Sequence, residues 1–393
     1  MNLFTSKRKD AHPPSLGVDL GSGNAKLVHL DMAGSRVEVK AASTHVLSPD
    51  AVEGGVIREP RKFGKKLAQW MEQSGIGPSV AVVSVPSNLA VLRWLNLPLL
   101  VGSELRQAAQ FKVKRHLPFP VESAYVEASI PEIADGESTG QSLVIAVPRA
   151  VIDSRAEALE AAGLRSYGAE LEGQAILRVV ERRLNQESAL WRDASLTIID
   201  VGANNTHMYV VQNQRLQFIR GVKFGTQRIA EAVANELKVS LAEGEALLSQ
   251  ADTQVWSEGL VKVRQGDVYK FVYVIAELEK LTREFLRLMR YFRSLHPERS
   301  YAGILDHVLL CGGLAGLHGF SEYLEDVLGL RVERARPFGG VVGTFTKQTF
   351  ETIANRQESY TVAMGLALSG IRRQNQEEET QNVRREYGWT RAA

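Results

Sequence analysis

Two hydrophobic periods alternate along the chain. Short apolar runs of strand character lead into Asp19 from Leu16 and into Asp200 from Ile198, and each is followed by two more. The followers are Ala25–Leu30 and Arg36–Ala41 in the first case, Thr206–Val211 and Arg215–Arg220 in the second. Polar turn residues sit between them, at Met32–Ser35 and at Gln212–Gln214, so each set reads as a β-meander. Three-to-four spacing predicts helices after both meanders, over Pro60–Ser74 and over Thr226–Lys238, with Gly225 and Thr226 as the cap region of the second.

Between the meanders lie the strands Ser79–Val85, Ala90–Asn96 and Ser142–Val147. A helix is expected to start with Ser103 as its cap and Glu104 in its first turn, to gather Lys112, Lys114 and Arg115 near its end, and to stop before Pro118. A further helix spans Arg149–Ala162 and is closed by Gly163. Phe271–Arg293 is expected to form a long amphipathic helix with Leu278, Leu281, Phe285, Leu288 and Phe292 on a core-facing stripe. Downstream, a strand Asp306–Cys311 runs into Gly312-Gly313-Leu314-Ala315-Gly316 and then a helix Phe320–Leu328.

The two meanders are copies of one pattern. Laying Leu16-Gly17-Val18-Asp19-Leu20-Gly21-Ser22-Gly23-Asn24 over Ile198-Ile199-Asp200-Val201-Gly202-Ala203-Asn204-Asn205 aligns Asp with Asp, Gly with Gly and Asn24 with Asn205. Strand-rich openings followed by helices predict two α/β lobes. Length agrees, since 393 residues exceed the roughly 250–300 at which one core stops growing.

Composition narrows the class of function. Hydrophobic residues make up 44% and charged residues 23%, which fits a globular chain and neither a disordered nor a fibrous one. Forty-seven basic against 45 acidic residues leave a net charge of +2, too small a field to recommend nucleic acid as a partner. Cys311 is the only cysteine, so no intrachain disulfide can form and a reducing cytoplasm fits. Met1–Asp10 has positive charge but no apolar run behind it, unlike a secretory signal. Val80–Val101 is broken by Pro86, Asn88, Arg93, Asn96 and Pro98, whereas a spanning helix needs about 20 nearly uninterrupted apolar residues. Any membrane connection is expected through a partner or a weak surface contact.

The candidate chemistry lies in the repeated turns. A strand ending in Asp-x-Gly and bending into a second strand brings backbone N–H groups around a phosphate, because glycine leaves room for close approach. Gly21, Ser22, Gly23 and Asn24 form one such clamp; Gly202, Ala203, Asn204 and Asn205 form the other. Facing each other across a cleft, they would grip a polyphosphate from both sides. Asp19 and Asp200 would then hold Mg²⁺, which takes one or two carboxylates and several waters. Gly312 and Gly313 would let an adenine ring stack on the backbone between the lobes.

Asp-x-Gly, Asp-x-Gly and then Gly-Gly after a strand resembles the signature of the actin, heat-shock chaperone and sugar kinase superfamily, over residues 16–370. Within it, Glu104-Leu105-Arg106 through His116-Leu117-Pro118-Phe119-Pro120-Val121-Glu122 resembles a hallmark of the PilM family of type IV pilus proteins, itself similar to the division protein FtsA. Val56–Pro60, Val85–Asn88, Val151–Arg155 and Glu157–Leu164 are similar to that family too. The resemblance implies a two-lobed actin-like (ribonuclease H-like) α/β fold with an inserted small α/β subdomain. Its first lobe would take 16–84 and 149–190, the insert 85–148, and the second lobe 191–370 with a helical part at about 226–300. Residues 1–15 and 371–393 are expected to be flexible, the tail because it is polar and carries Glu377-Glu378-Glu379.

The resemblance also assigns roles. It implies ATP and Mg²⁺ as cofactors, with Asp19, Gly21, Ser22, Gly23 and Asn24 in the first phosphate motif and Gly312 and Gly313 in the adenosine motif. Asp200, Gly202, Ala203, Asn204, Asn205 and Thr206 match the second phosphate motif. Glu172 stands where relatives keep a residue that positions the attacking water; capping the helix that follows is an equal reading of it. Turnover is expected to be slow or undetectable. The implied partner is the short cytoplasmic N-terminal segment of the inner-membrane protein PilN, in a groove around residues 79–148. Other pilus inner-membrane or motor components and self-association are further implied contacts, with the chain cytoplasmic and recruited to the inner face of the inner membrane. Lys112 and Lys114 depart from the acidic residues that related proteins often carry there.

Two rival functions use the same fold. A small-molecule kinase would need a buried general base beside an acceptor hydroxyl, and no substrate motif for it stands out. An FtsA-like division filament protein should end in an amphipathic membrane-targeting helix, whereas this chain ends in Tyr387-Gly388-Trp389-Thr390-Arg391-Ala392-Ala393.

Overall fold

The computed structural model describes residues 15–371 apart from 35, 49, 78, 132–136, 188–194, 213–214, 257–258, 296–306, 344–349, 351–352 and 355. The expected flexible start and polar tail, and most of the second hairpin turn, lie outside the described residues. Ser15, placed by the sequence reading at the end of that start, is already strand and fully buried.

Two mixed sheets dominate, and they share one topology. The first has the order Arg165–Leu171, Val80–Val85, Ser15–Leu20, Asn24–Ala33, Arg36–Val46 and the short Val342–Gly343. The second has the order Arg215–Val222, Thr206–Gln212, Leu196–Val201, His307–Gly312 and Arg331–Arg334. In both, the strand that carries the aspartate is central, antiparallel to the next strand of its meander and parallel to a strand added later. Ser15–Leu20 and Val80–Val85 are buried along their whole length, as strands covered on both faces must be.

Helices cover these sheets. Pro60–Gln73 and Arg149–Ala161 close a core with Leu16, Val18, Leu27 and Val83 of the first sheet. Thr226–Leu237 and Ile275–Ser294 close another on the second sheet, around Ile199, Met208, Phe285 and Leu310. A third apolar cluster joins the sheets, bringing Val82 of the first together with Ile176, Ile198, Tyr209 and Leu366. Residues 361–371, which the sequence reading groups with the second half, are helical and return to the first sheet. There the backbones nearly touch: a Cβ on Gly17 would lie 1.9 Å from the Ala363 carbonyl oxygen, so only glycine fits.

The residues between Val85 and Arg149 build a separate small sheet, Val91–Pro98, Thr139–Pro148 and Ala124–Ala128, under the helix Gly102–Val113. Leu97, Leu105, Ala109, Val126 and Val144 fill the space between them.

Three local expectations need correction. The helix expected over Phe271–Arg293 begins only at Ile275, and Val268–Tyr273 is a strand. Its alternation of Tyr269, Phe271 and Tyr273 on an exposed face and Val272 in the core is a strand period, and it pairs with Leu260–Gln265. With Gln254–Val255 these strands put a three-stranded sheet inside the stretch expected to be helical. Ser103 does not cap the following helix: Val101 is the N-cap residue, with no side-chain hydrogen bond. Lys114 and Arg115 lie past that helix, in the 3₁₀ turn Lys114–His116.

Candidate functional site: the cleft between the repeated turns

The two Asp-x-Gly turns fold alike, for local reasons. Gly21 N–H donates to the Asn24 carbonyl at 3.0 Å, and Gly202 N–H donates to the Asn205 carbonyl, also at 3.0 Å. Their tips meet: a Cβ built on Gly23 would stand 3.5 Å from the Cβ of Ala203. The helix Thr226–Leu237 starts on the second turn, with Thr226 N–H donating to the Gly202 carbonyl at 2.9 Å and Gln227 N–H to that of Ala203 at 3.0 Å. Thr206 hydroxyl donates to the Phe224 carbonyl at 2.8 Å and is buried, so its role here is to brace the turn.

The glycine run after His307–Gly312 closes on the same place. Gly313 N–H donates to the Val201 carbonyl at 2.8 Å. Gly312 has φ of 88°, and a Cβ there would lie 2.5 Å from Asp200 Oδ1. The second aspartate therefore lies against Gly312, the first glycine of the pair.

Asp19, Asp200 and Glu172 form one electrostatic cluster. Burial raises the Asp19 carboxyl above its usual range, opposed by Lys26, whose Nζ lies 3.8 Å away, by a hydrogen bond with Ser84 and by Arg155. Asp200 is pushed up to about 6 by burial and then by repulsion from Asp19. Glu172 rises furthest, to about 8, through burial and then repulsion from Asp19 and Asp200. Its Oε2 accepts a hydrogen bond from Ser87 N–H at 3.1 Å, and it is the first residue of the helix Glu172–Glu187.

Positive charge near these groups is limited. Arg155 is 1% exposed and donates to the carbonyls of Ser84, Gly55 and Val151, with its own pKa lowered to about 10 by burial. Three carboxylates thus face two cations, Lys26 and Arg155, in a site where mutual repulsion already lifts two of the acids. A divalent cation would relieve that excess, and Mg²⁺ asks for only one or two protein carboxylates. Among the described residues no cluster of three or more His, Cys, Asp or Glu side chains has the arrangement of a dedicated protein metal cage. The donor set fits an ion that arrives with a phosphate ligand.

Sequence reasoning named the turns and the acids but missed their supports. Lys26 stands opposite Asp19 in the strand register, and His207 holds the equivalent place opposite Asp200. His207 is buried, which pulls it down to about 4 and leaves it neutral. The strand offset would have revealed this pair. Ser84 and Tyr209 carry no local signal, and the family-like stretches that hold Ser87 and Arg155 do not point to the site, because all four reach it only through packing. Cys311 is buried beside Asp200, and burial holds its thiol well above the usual range, which removes it as a nucleophile.

Comparison with known proteins bears on this architecture. The chain is 23% identical over 358 residues to the cell division protein FtsA of Streptococcus pneumoniae serotype 2 (strain D39 / NCTC 7466), covering 81% of this chain and 74% of that protein. It is 22% identical over 363 residues to FtsA of Bacillus subtilis (strain 168), covering 82% and 78%. Among solved structures it superposes on a PilM-PilN type IV pilus biogenesis complex with a TM-score of 0.73 at 23% identity, covering 91% of this chain and 98% of that one. The fold is accordingly that of the actin-like ATPases, with two mixed sheets of like topology. The family model described as type IV pilus assembly protein PilM matches residues 17–371, nearly the whole described chain, and the protein belongs to that family.

Proposed function

We infer that this chain is a nucleotide-responsive scaffold of type IV pilus assembly. It takes Mg²⁺·ATP between its lobes and holds the cytoplasmic N-terminal segment of a PilN-type inner-membrane protein. The observation that carries the reading is the meeting of two equivalent Asp-x-Gly turns, Gly23 against Ala203, beside the carboxylates of Asp19, Asp200 and Glu172.

In this reading the backbones of Gly21, Ser22, Gly23 and Asn24 and of Gly202, Ala203, Asn204 and Asn205 cradle the phosphates. Thr206 braces the second cradle, and the bare backbone of Gly312 and Gly313 offers a surface for adenine. Asp19 and Asp200 hold Mg²⁺, which neutralises phosphate charge when bound. Glu172 orients water in this reading. Slow or undetectable turnover is expected, which suits a switch rather than a catalyst.

Membership of the PilM family supports the pilus setting, and the structural likeness to a PilM-PilN complex supports the partner. No helix among the described residues is long and apolar enough to cross a membrane. Recruitment to the inner face of the inner membrane is therefore assigned to the partner. Nucleotide that favours a closed cleft would bias partner binding or self-association by shifting the lobe equilibrium. Titration calorimetry with Mg²⁺·ATP tests the site: Asp19→Ala should abolish Mg²⁺-dependent binding, and unchanged affinity would overturn the assignment.

A further inference from the structure

Ser87 stands where three parts of the fold join. The chain leaves the first sheet at Val85 and enters the small inserted sheet at Val91, with the 3₁₀ turn Ser87–Leu89 between. Ser87 is 3% exposed. Its N–H holds Glu172, and its Oγ accepts from the N–H of Gly173 at 3.3 Å. The same Oγ lies 3.1 Å from the hydroxyl of Tyr209, on the strand Thr206–Gln212 of the second sheet. Tyr209 is fully buried, and a Cβ on Gly173 would lie 2.5 Å from its ring, so the ring is wedged against the start of the helix that bears Glu172.

Nothing loose separates this serine from the inserted unit. Leu89, Ala90, Leu92 and Ile145 pack with Val85, Val147, Val151 and Leu171. Val91 pairs with Ala146, so the outgoing and returning strands cross side by side. The returning strand leads into the helix Arg149–Ala161, which carries Arg155. Arg155 Nε donates to the Ser84 carbonyl at 2.7 Å, and Ser84 Oγ accepts from Leu20 N–H at 2.8 Å, next to Asp19. Both crossings therefore end on elements that hold a carboxylate of the cleft.

We propose that Ser87 and Tyr209 form the positioning contact that couples the inserted unit to the cleft. A displacement of the inserted sheet moves Ser87, and Ser87 moves both the Glu172 carboxylate and the second lobe through Tyr209. By reciprocity, nucleotide that draws the lobes together alters the inserted unit by the same coupling free energy. Neither side chain is assigned a nucleotide contact; both act through Glu172 and the spacing of the lobes. The inference rests on the nucleotide reading given above.

Amide hydrogen exchange on the full chain, with and without saturating Mg²⁺·ATP, tests it alongside calorimetry of the same samples. In the wild type, Mg²⁺·ATP should slow exchange in Val91–Pro98 and Thr139–Pro148. Tyr209→Phe and Ser87→Ala should each keep Mg²⁺·ATP affinity yet cut that slowing by about two- to tenfold, the worth of one neutral hydrogen bond. The double variant should lose no more than Ser87→Ala alone, because Ser87→Ala already removes the contact with Tyr209 together with the one to Gly173. A merely structural role would give additive losses and faster exchange throughout, and that result would overturn the proposal. So would a wild type that binds Mg²⁺·ATP with no response in the inserted strands, or a Tyr209→Phe chain that responds like the wild type. A wild type with a flat calorimetric trace would sink the nucleotide reading itself, and this inference with it.

Discussion

Gly23 and Ala203 face each other across the cleft, close enough that a single added methyl on Gly23 would reach van der Waals contact at 3.5 Å. Each sits at the tip of an Asp-x-Gly turn closed by an equivalent N–H to carbonyl bond of 3.0 Å. The space between them belongs to neither turn alone.

Gly23→Ala should occupy that space while leaving the fold alone, because Gly23 has no positive φ and the added methyl would meet Ala203 only at ordinary van der Waals contact. Calorimetry should show Mg²⁺·ATP affinity reduced by tenfold or more, an effect of about 1.4 kcal/mol, with the melting temperature hardly changed.

Gly312→Ala should damage both fold and site. At φ of 88° a Cβ would press on Val201 and on Asp200 Oδ1. Left-handed backbone alone costs a non-glycine residue about 1–2 kcal/mol, and the overlap adds to it. Chemical denaturation should show a loss above about 2 kcal/mol, whereas Gly34→Ala, also at positive φ but with open space around it, should lose about 1 kcal/mol.

Glu172→Gln should make the nucleotide-free protein more stable, and increasingly so with rising pH. The carboxyl of Glu172 has its folded pKa raised from 4.5 to about 8, so between those values the native state holds the proton that the unfolded state has lost. Its contribution to stability therefore declines as pH rises through that window and levels off above about 8. Thermal melts of both chains from pH 5 to pH 8.5 should diverge steadily; parallel curves would refute the buried-acid picture.

Arg155→Leu should cost about 3–5 kcal/mol, the usual penalty for leaving buried charge without its partner. The Ser84, Gly55 and Val151 carbonyls lose their donor, and Glu172 and Asp19 lose a countercharge. Arg155→Lys should recover only part of it, since one ammonium cannot reproduce the planar guanidinium fork. Equilibrium unfolding in urea measures both.

Much of this architecture was legible before any coordinates. A strand period of two, an Asp-x-Gly bend and a hairpin turn are all written within about ten neighbouring residues, which is why both meanders and the aspartates at their strand ends could be read from a linear comparison. The errors came where local signals compete. Phe271 and Tyr273 fit either the start of the long helix or an exposed strand face, and pairing with Leu260–Gln265 decided for the strand. Ser103 is a good cap by type, but the chain enters that helix two residues earlier, at Val101.

What the sequence alone determined is the duplicated carboxylate-and-glycine bend, because its geometry depends on hydrogen bonds between near neighbours and on residues small enough to allow them. The tertiary structure alone decided that the two bends meet, that Lys26 and Arg155 offset only part of the charge of three buried acids, and that Ser87 and Tyr209 link the lobes. Those facts depend on desolvation and on packing between residues far apart in the chain, and no local pattern of apolar and polar positions encodes either.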